Sequence, residues 1–222
     1  MRKITINLAA VAAFCIVVAS PALVSSSCAT PKTEQEDTTI IREDSGITAL
    51  KYSSPEVPAS IEFCGKTIDL SRFDRHERMD RELLAFTYMH STSLQMLKKA
   101  NRYFPIVEPI LKENGIPDDF KYLMVIESNM NPTARSSAGA AGLWQFMQGT
   151  GRDYGLEVNN NVDERYHIEK ATRAACRYLK DAYAKYKDWV AVAASYNAGQ
   201  ARIASQLAKQ DVDDSLDLQL VE

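Results

Sequence analysis

Near its middle the chain reads Pro117-Asp118-Asp119-Phe120-Lys121-Tyr122-Leu123-Met124-Val125-Ile126-Glu127-Ser128. Apolar Phe120, Leu123 and Met124 recur there at helical spacing. At about 100° per residue, Glu127 falls within the arc of these side chains, on the face predicted to be buried. An ionised carboxylate removed from water is costly unless it is paired or neutralised. The stretch therefore predicts a helix bearing a Glu with a raised pKa, suited to proton transfer near neutral pH. The alternative is a structural Glu paired with an Arg or Lys.

The composition is that of a globular domain with an appendage. The chain has 222 residues, of which 45% are hydrophobic and 25% charged, and its formal net charge is −3. This weak acidity argues against nucleic acid as a partner, because phosphate binding requires a basic patch. Beyond the N-terminal region, the sequence contains no segment long and apolar enough to span a membrane.

The N-terminal region has the pattern of an export signal. Arg2 and Lys3 precede an apolar run over residues 4–19, and small residues follow as far as Ser27. This order predicts a signal peptide over residues 1–27; the alternative is a buried N-terminal helix. Cleavage is expected either before Cys28 or after Ala22.

Cys28 and its upstream neighbours resemble a bacterial lipoprotein signal. The Leu that such signals usually carry three residues before the Cys is replaced here by Ser25. If it is lipidated at Cys28, the chain would be tethered to a membrane surface without spanning it; simple secretion is the alternative. We expect a periplasmic protein anchored to a membrane, with the outer membrane favoured. Residues 28–60, rich in Thr, Ser, Pro and charge, are predicted to be a flexible linker.

Two cysteines, Cys64 and Cys176, lie beyond the signal region. Export to an oxidising compartment permits a disulfide between them, but buried thiols are an equal alternative, and no bridge is predicted. The Cys and His residues do not show metal-ligand spacing.

The rest of the chain is predicted to be mainly helical. A short extended segment over residues 60–70 comes first. Helical patterns and their stop signals then place helices at 74–102, 104–113, 117–131, 144–154, 163–186, 189–196 and 198–209. The small residues of 136–142 indicate a loop. We therefore predict a single mainly α domain over residues 61–222.

Three segments carry residues able to do chemistry. They are Glu127-Ser128-Asn129-x-Asn131-Pro132, Gly139-x-x-Gly142-Leu143-Trp144-Gln145-Phe146-Met147 and Ser195-Tyr196-Asn197-Ala198-Gly199. Glycines allow a backbone to approach a ligand closely. Taken singly, each segment also has a structural explanation in loop geometry, packing or helix capping.

Together, in this order, the segments resemble the catalytic domain of family 1 lytic transglycosylases, and within it the membrane-bound murein transglycosylase D group. The core of the resemblance covers residues 104–203, and residues 74–102 are similar to that group's helical lead-in. It implies a lysozyme-like helical fold, a peptidoglycan substrate, and neither metal nor organic cofactor.

The resemblance also assigns roles to individual residues. Glu127 matches the single catalytic acid/base. The remaining matches are substrate-binding positions, which are Ser136 (or Ser137, if the loop register shifts by one), Gln145, Met147, Tyr196 and Asn197. The Tyr196 hydroxyl is expected to donate either to Glu127 or to the N-acetyl carbonyl of the substrate.

The implied reaction needs one carboxylate, whereas most glycosidases use two. It cleaves the β-1,4 bond between N-acetylmuramic acid and N-acetylglucosamine without water and leaves 1,6-anhydromuramic acid. A muramidase-type hydrolase on the same fold is the alternative. It would require a second carboxylate, for which Asp118, Asp119 and Asp153 are the candidates.

The end of the sequence departs from the family pattern. Family members continue into a helix bearing Glu-Thr-x-x-Tyr-Val, whereas this sequence stops at Glu222. We therefore expect a shortened C-terminal end, and a third alternative is a catalytically impaired peptidoglycan-binding protein.

Overall fold

A β-hairpin leads into a group of packed helices in the computed structural model, which describes residues 55–210. Strands β1 (Ser60–Phe63) and β2 (Lys66–Asp69) pair antiparallel, with Ile61 opposite Ile68. The two turn residues between them, Cys64 and Gly65, both have positive φ, as a type I′ hairpin turn requires. The predicted extended segment is confirmed as this hairpin.

Seven α-helices follow, and the mainly helical, lysozyme-like fold class is confirmed for the described residues. In chain order they are α1 (Phe73–Tyr88), α2 (His90–Glu113), α3 (Leu123–Ser128), α4 (Gln148–Asp153), α5 (Ile168–Tyr186), α6 (Trp189–Ala198) and α7 (Gln200–Gln210). Short 3₁₀ turns at Asp118–Tyr122 and Glu164–Tyr166 precede α3 and α5. The long helix α5 packs against both α2 and α6 around a core that includes Val107, Trp144 and Leu179.

The predicted boundary between the first two helices is wrong. It was expected between residues 102 and 104, but the break lies at Met89, and α2 runs through Pro105 and Pro109. A proline removes one helical hydrogen bond and usually ends a helix. Here Phe104 and Val107 are buried in the same turns, and this tertiary packing outweighs the local preference.

Three other helices are shorter than predicted. The helix bearing Glu127 begins as a 3₁₀ turn and ends at Ser128, because Asn129 and Met130 adopt positive φ. Residues 144–147 are not helical, and α4 begins only at Gln148. Helix α5 begins at Ile168, where the side chain of His167 accepts a hydrogen bond from the Lys170 amide. The predictions for the last two helices are confirmed to within two residues.

Several predictions lie wholly or partly outside the described residues. These are the signal peptide, Cys28, most of the linker and the C-terminal residues 211–222. Cys64 and Cys176 are not bonded to each other. Within residues 55–210, each helix is too short or too polar to cross a membrane.

Candidate active site

Glu127 is the next-to-last residue of α3 and is partly buried. Burial raises the pKa of its carboxyl from 4.5 to about 7, while a hydrogen bond from the side chain of Asn197 acts in the opposite direction. Desolvation disfavours the charged form, so a carboxyl in this place remains protonated close to neutral pH. The raised pKa predicted from the sequence is confirmed. The alternative, a structural ion pair with Arg or Lys, is not seen at Glu127 among residues 55–210.

Asn197 reaches Glu127 from the end of α6. Gly199, two residues after Asn197, has φ +86° and separates α6 from α7. The hydrogen bond favours the ionised form of Glu127, because its effect is to lower the carboxyl pKa. The first and third sequence segments therefore meet at this carboxyl, as the shared site requires.

Tyr196 lies beside the same carboxyl but makes a different hydrogen bond from the one expected. Its hydroxyl donates to the backbone carbonyl of Trp144 at 2.8 Å, rather than to Glu127. Burial holds the pKa of Tyr196 well above its usual range, and the neighbouring Glu127 charge raises it further. Because its one O–H proton is engaged by the Trp144 carbonyl, Tyr196 acts as a fixed support for the site.

The second segment forms a folded loop over residues 135–147, which we call the 135–147 loop. Two isolated β-bridges shape it, one between Arg135 and Ala141 and one between Ala141 and Phe146. The exposed Ser136 hydroxyl accepts a 3.0 Å hydrogen bond from the Ala140 amide within the loop. The predicted loop is confirmed, and it places Ser136 at the surface.

Gln145 and Met147 lie at the C-terminal end of the 135–147 loop. The side-chain amide of Gln145 donates to the carbonyls of Gly142 at 2.8 Å and Ala134 at 3.3 Å. Its amide nitrogen therefore supports the loop from within. Met147 is 45% exposed and presents an apolar surface to solvent.

Ser128 connects the catalytic helix to the 135–147 loop. Its hydroxyl lies 2.9 Å from the carbonyl of Met124, in its own helix, and 2.9 Å from the carbonyl of Leu143. The bond to Leu143 fixes the position of α3 relative to the loop. All three sequence segments are therefore joined, through Ser128, Asn197 and Tyr196.

Two further residues support the site and carried no signal in the sequence. Tyr178 of α5 contacts the ring of Tyr196 with centroids 5.2 Å apart, and burial raises its pKa to about 12. Arg165 is 4% exposed and donates to carbonyls of the 135–147 loop. In the sequence, Arg165 falls in the segment 163–186 that was predicted to be helical, where an Arg is usually an exposed surface residue.

Two of the three candidates for a second carboxylate have partners elsewhere, and the third is exposed. Asp118 pairs with Lys121 at 2.5 Å, and Asp119 accepts a 2.6 Å hydrogen bond from the Cys64 amide. Asp153 is exposed at the end of α4. Within residues 55–210, the only contributors to the pKa of Glu127 are burial and Asn197. The same residues contain no group of three or more His, Cys, Asp or Glu side chains placed to hold a metal ion.

The fold and the site define a helical domain with one half-buried, protonatable carboxylate supported by an amide and a glycine-containing loop. The family model described as the transglycosylase SLT domain matches residues 105–217, and the chain belongs to this family.

Named relatives cover only part of this chain. Membrane-bound lytic murein transglycosylase D of Escherichia coli (strain K12) is 31% identical over 128 residues, which are 57% of this chain and 27% of the relative. The peptidoglycan transglycosylase gp16 of Escherichia phage T7 is 33% identical over 95 residues, which are 41% of this chain and 7% of the relative. The chain therefore spans about a quarter, or less, of the length of these relatives.

Proposed function

We propose that this chain is a peptidoglycan lytic transglycosylase with Glu127 as its catalytic acid and base. It would cleave the β-1,4 bond between N-acetylmuramic acid and N-acetylglucosamine without water, leaving a 1,6-anhydromuramic acid end. The observation that carries the proposal is the half-buried Glu127 carboxyl with a pKa of about 7. Membership of the transglycosylase SLT domain family and relatives named for this activity support it.

A carboxyl with this pKa suits both halves of the reaction. Protonated Glu127 gives its proton to the glycosidic oxygen, and the bond from that oxygen to C1 of muramic acid breaks. The N-acetyl group of the substrate stabilises the positive charge that develops at C1. The ionised carboxylate then takes the proton of the C6 hydroxyl, whose oxygen closes onto C1. General acid–base catalysis is most efficient when the pKa lies near the working pH.

Asn197 supports the second half of this sequence. Its hydrogen bond stabilises the ionised carboxylate that remains once the proton has left, as its lowering effect on the Glu127 pKa indicates. The Asn197 amide therefore moderates a pKa that burial alone would raise further.

Within the part of the chain that the structure describes, one protonatable carboxylate at the site favours this reaction over hydrolysis. Retaining glycosidases place two carboxyl groups about 5–5.5 Å apart, and inverting ones about 6.5–9.5 Å apart. Among residues 55–210, Asp118 and Asp119 have other partners, and Asp153 is exposed at the end of α4. The muramidase-type reading is therefore the less favoured one.

The substrate contacts and the location of the protein are part of the same proposal. Ser136 and Met147, both exposed on the 135–147 loop, would contact the glycan strand together with Gln145, Tyr196 and Asn197. The signal pattern of residues 1–27 and the lipoprotein-like Cys28 support export and anchoring to a membrane. A relative that is named as membrane-bound is in keeping with this.

The test is mass spectrometry of purified peptidoglycan after incubation with the full chain. Glu127→Gln is the inactive variant, and Glu113→Gln, at an exposed Glu paired with Arg173, is the matched control. Anhydromuropeptides from the parent and Glu113→Gln, and none from Glu127→Gln, are expected. Reducing-end products would assign the chain to the hydrolases. Peptidoglycan binding without any product would assign it to the binding proteins.

A further inference from the structure

Arg165 is a buried cation whose guanidinium donates hydrogen bonds to one carboxylate and to two backbone carbonyls. It lies in the 3₁₀ turn Glu164–Tyr166 and is 4% exposed. Its Nε and Nη2 atoms donate to the two carboxylate oxygens of Asp163 at 2.9 and 2.7 Å. This pairing holds the pKa of Asp163 below its usual value. Two nitrogens of the guanidinium are therefore used within its own turn.

The third nitrogen extends to the 135–147 loop. Nη1 donates to the carbonyl of Gly139 at 2.8 Å and to the carbonyl of Phe146 at 3.0 Å. The Phe146 carbonyl also accepts from the amide of Ala141 at 3.0 Å, so Arg165 completes a bridge that the loop makes with itself. One atom thus joins two positions of the loop that are seven residues apart in sequence.

The backbone and the aliphatic stem of Arg165 also lie close to two glycines, Gly142 in the 135–147 loop and Gly151 in α4. A Cβ built on Gly142 would lie 1.9 Å from the Arg165 carbonyl oxygen. A Cβ on Gly151, in α4, would lie 3.4 Å from the Cγ and Cδ atoms of Arg165. The 135–147 loop and the helix after it therefore rest directly on this residue.

A buried ion pair is weak evidence of stability, because the cost of removing two charges from water offsets their attraction. What this one provides is a defined conformation, since a planar guanidinium offers several donors in a fixed geometry.

We propose that Arg165 is a positioning residue for the substrate, which fixes the 135–147 loop so that Ser136, Gln145 and Met147 face the glycan strand. This rests on the proposed function. Glu127 takes its pKa from burial and from Asn197. Its site is joined to the loop at Leu143 and Trp144, not at the Gly139 and Phe146 carbonyls that Arg165 holds. Loss of the Arg165 contacts should therefore weaken glycan binding and leave the ionisation of Glu127 unchanged.

The experiment uses Arg165→Lys in the full chain. Lys keeps the charge, but one ammonium group cannot reach Asp163 and both loop carbonyls at once. We expect KM for solubilised glycan strands to rise about tenfold or more, since misplacing a positioning group by about 1 Å can cost on the order of 100-fold. The pH at which kcat falls should not move. The control is Arg173→Lys, an exposed Arg paired with Glu113 at 3.3 Å.

Hydrogen exchange gives a second readout that needs no turnover. The amides of Ser136, Ala141 and Gly142 all donate within or next to the loop, and their exchange should accelerate in Arg165→Lys. If Arg165→Lys does not fold, Asp163→Asn removes the partner charge and is measured in the same way. Normal exchange with an unchanged KM would overturn the proposal, and so would a fall in kcat alone at constant KM. If the parent releases no product, the proposed function fails, and exchange still decides the role of Arg165.

Discussion

The hydroxyl of Tyr196 donates a 2.8 Å hydrogen bond to the carbonyl of Trp144, 52 residues earlier in the chain. The bond joins the end of α6 to the 135–147 loop. Ring contacts accompany it, with the Tyr196 centroid 6.4 Å from that of Trp144 and 6.3 Å from that of Phe146. Because a phenol has one proton to donate, this bond assigns Tyr196 to holding the site together rather than to Glu127.

Tyr196→Phe should therefore act on stability first. It removes the donor to the Trp144 carbonyl, and an unsatisfied buried carbonyl costs about 1–3 kcal/mol. We expect the free energy of unfolding, measured by urea denaturation, to fall by this amount. The pH dependence of kcat should stay as in the parent. Unchanged stability together with a displaced pH profile would place the hydroxyl on Glu127 instead.

Asn197→Ala should move the alkaline limit of activity to higher pH. Glu127 must be protonated to act as an acid, so kcat falls as the pH rises through its pKa of about 7. Asn197 lowers that pKa, and its loss therefore raises it. The pH at which kcat falls should therefore shift upward. The measurement is kcat for anhydro product across the pH range.

Asn131→Ala is the control for this experiment. The Asn131 side chain accepts from the amide and hydroxyl of Thr133 at 3.1 and 3.0 Å and has no effect on the Glu127 pKa. Its pH profile should match that of the parent. If the pH at which kcat falls stays the same in Asn197→Ala, or moves lower, the hydrogen bond from Asn197 to Glu127 would be contradicted.

Glu127 could be predicted from the sequence because two local signals agree there. The apolar positions of its helix define a buried face, and a carboxylate on that face must either pair or stay protonated. Asn197 could also be predicted as part of the site, because it belongs to a motif on which the family resemblance rests.

The supports of the site could not be predicted, because they depend on tertiary contacts. Gln145 adopts φ +50°, which local propensity does not favour for a glutamine, and residues 144–147 therefore do not form the expected helix. Its position follows from the Ala141–Phe146 bridge and from Arg165, which lies 19 residues beyond Phe146. A lone Arg in a helical pattern gives no indication of such a role.

Glu127→Gln should stabilise the fold above neutral pH. The Glu127 pKa rises from 4.5 to about 7 on folding, so between these values the folded chain holds more protons than the unfolded chain. Stability contributed by this group is complete below pH 4.5, is lost as the pH rises, and levels off above about 7. Gln carries no charge to desolvate. At about pH 8 the variant should therefore be more stable by about 2 kcal/mol, allowing for partial exposure.

Denaturation curves at about pH 4 and pH 8 test this difference. The two proteins should have equal stability at the lower pH. Glu113→Gln, at an exposed carboxylate, should show no such pH-dependent gain. A Glu127→Gln variant that is less stable than the parent at the higher pH would mean that contacts such as the one with Asn197 stabilise the ionised carboxylate by more than its desolvation costs.

Gly142→Ala should be severely destabilising, because two constraints coincide at this position. Gly142 has φ +79°, which side chains rarely adopt, and its added Cβ would lie 1.9 Å from the carbonyl oxygen of Arg165. Neither backbone segment can move without breaking the hydrogen bonds of the 135–147 loop. We expect a loss of at least about 3 kcal/mol in the free energy of unfolding.

The matched change is Gly149→Ala, seven residues later in α4, where an added Cβ meets nothing within 4 Å. A Gly-to-Ala change at an open helical position is expected to stabilise by up to about 1 kcal/mol, since Ala loses less backbone entropy on folding. Thermal denaturation of both variants gives the comparison. If Gly142→Ala has the same melting temperature as the parent, the carbonyl of Arg165 does not rest on this glycine. The support of the loop must then come from the guanidinium alone.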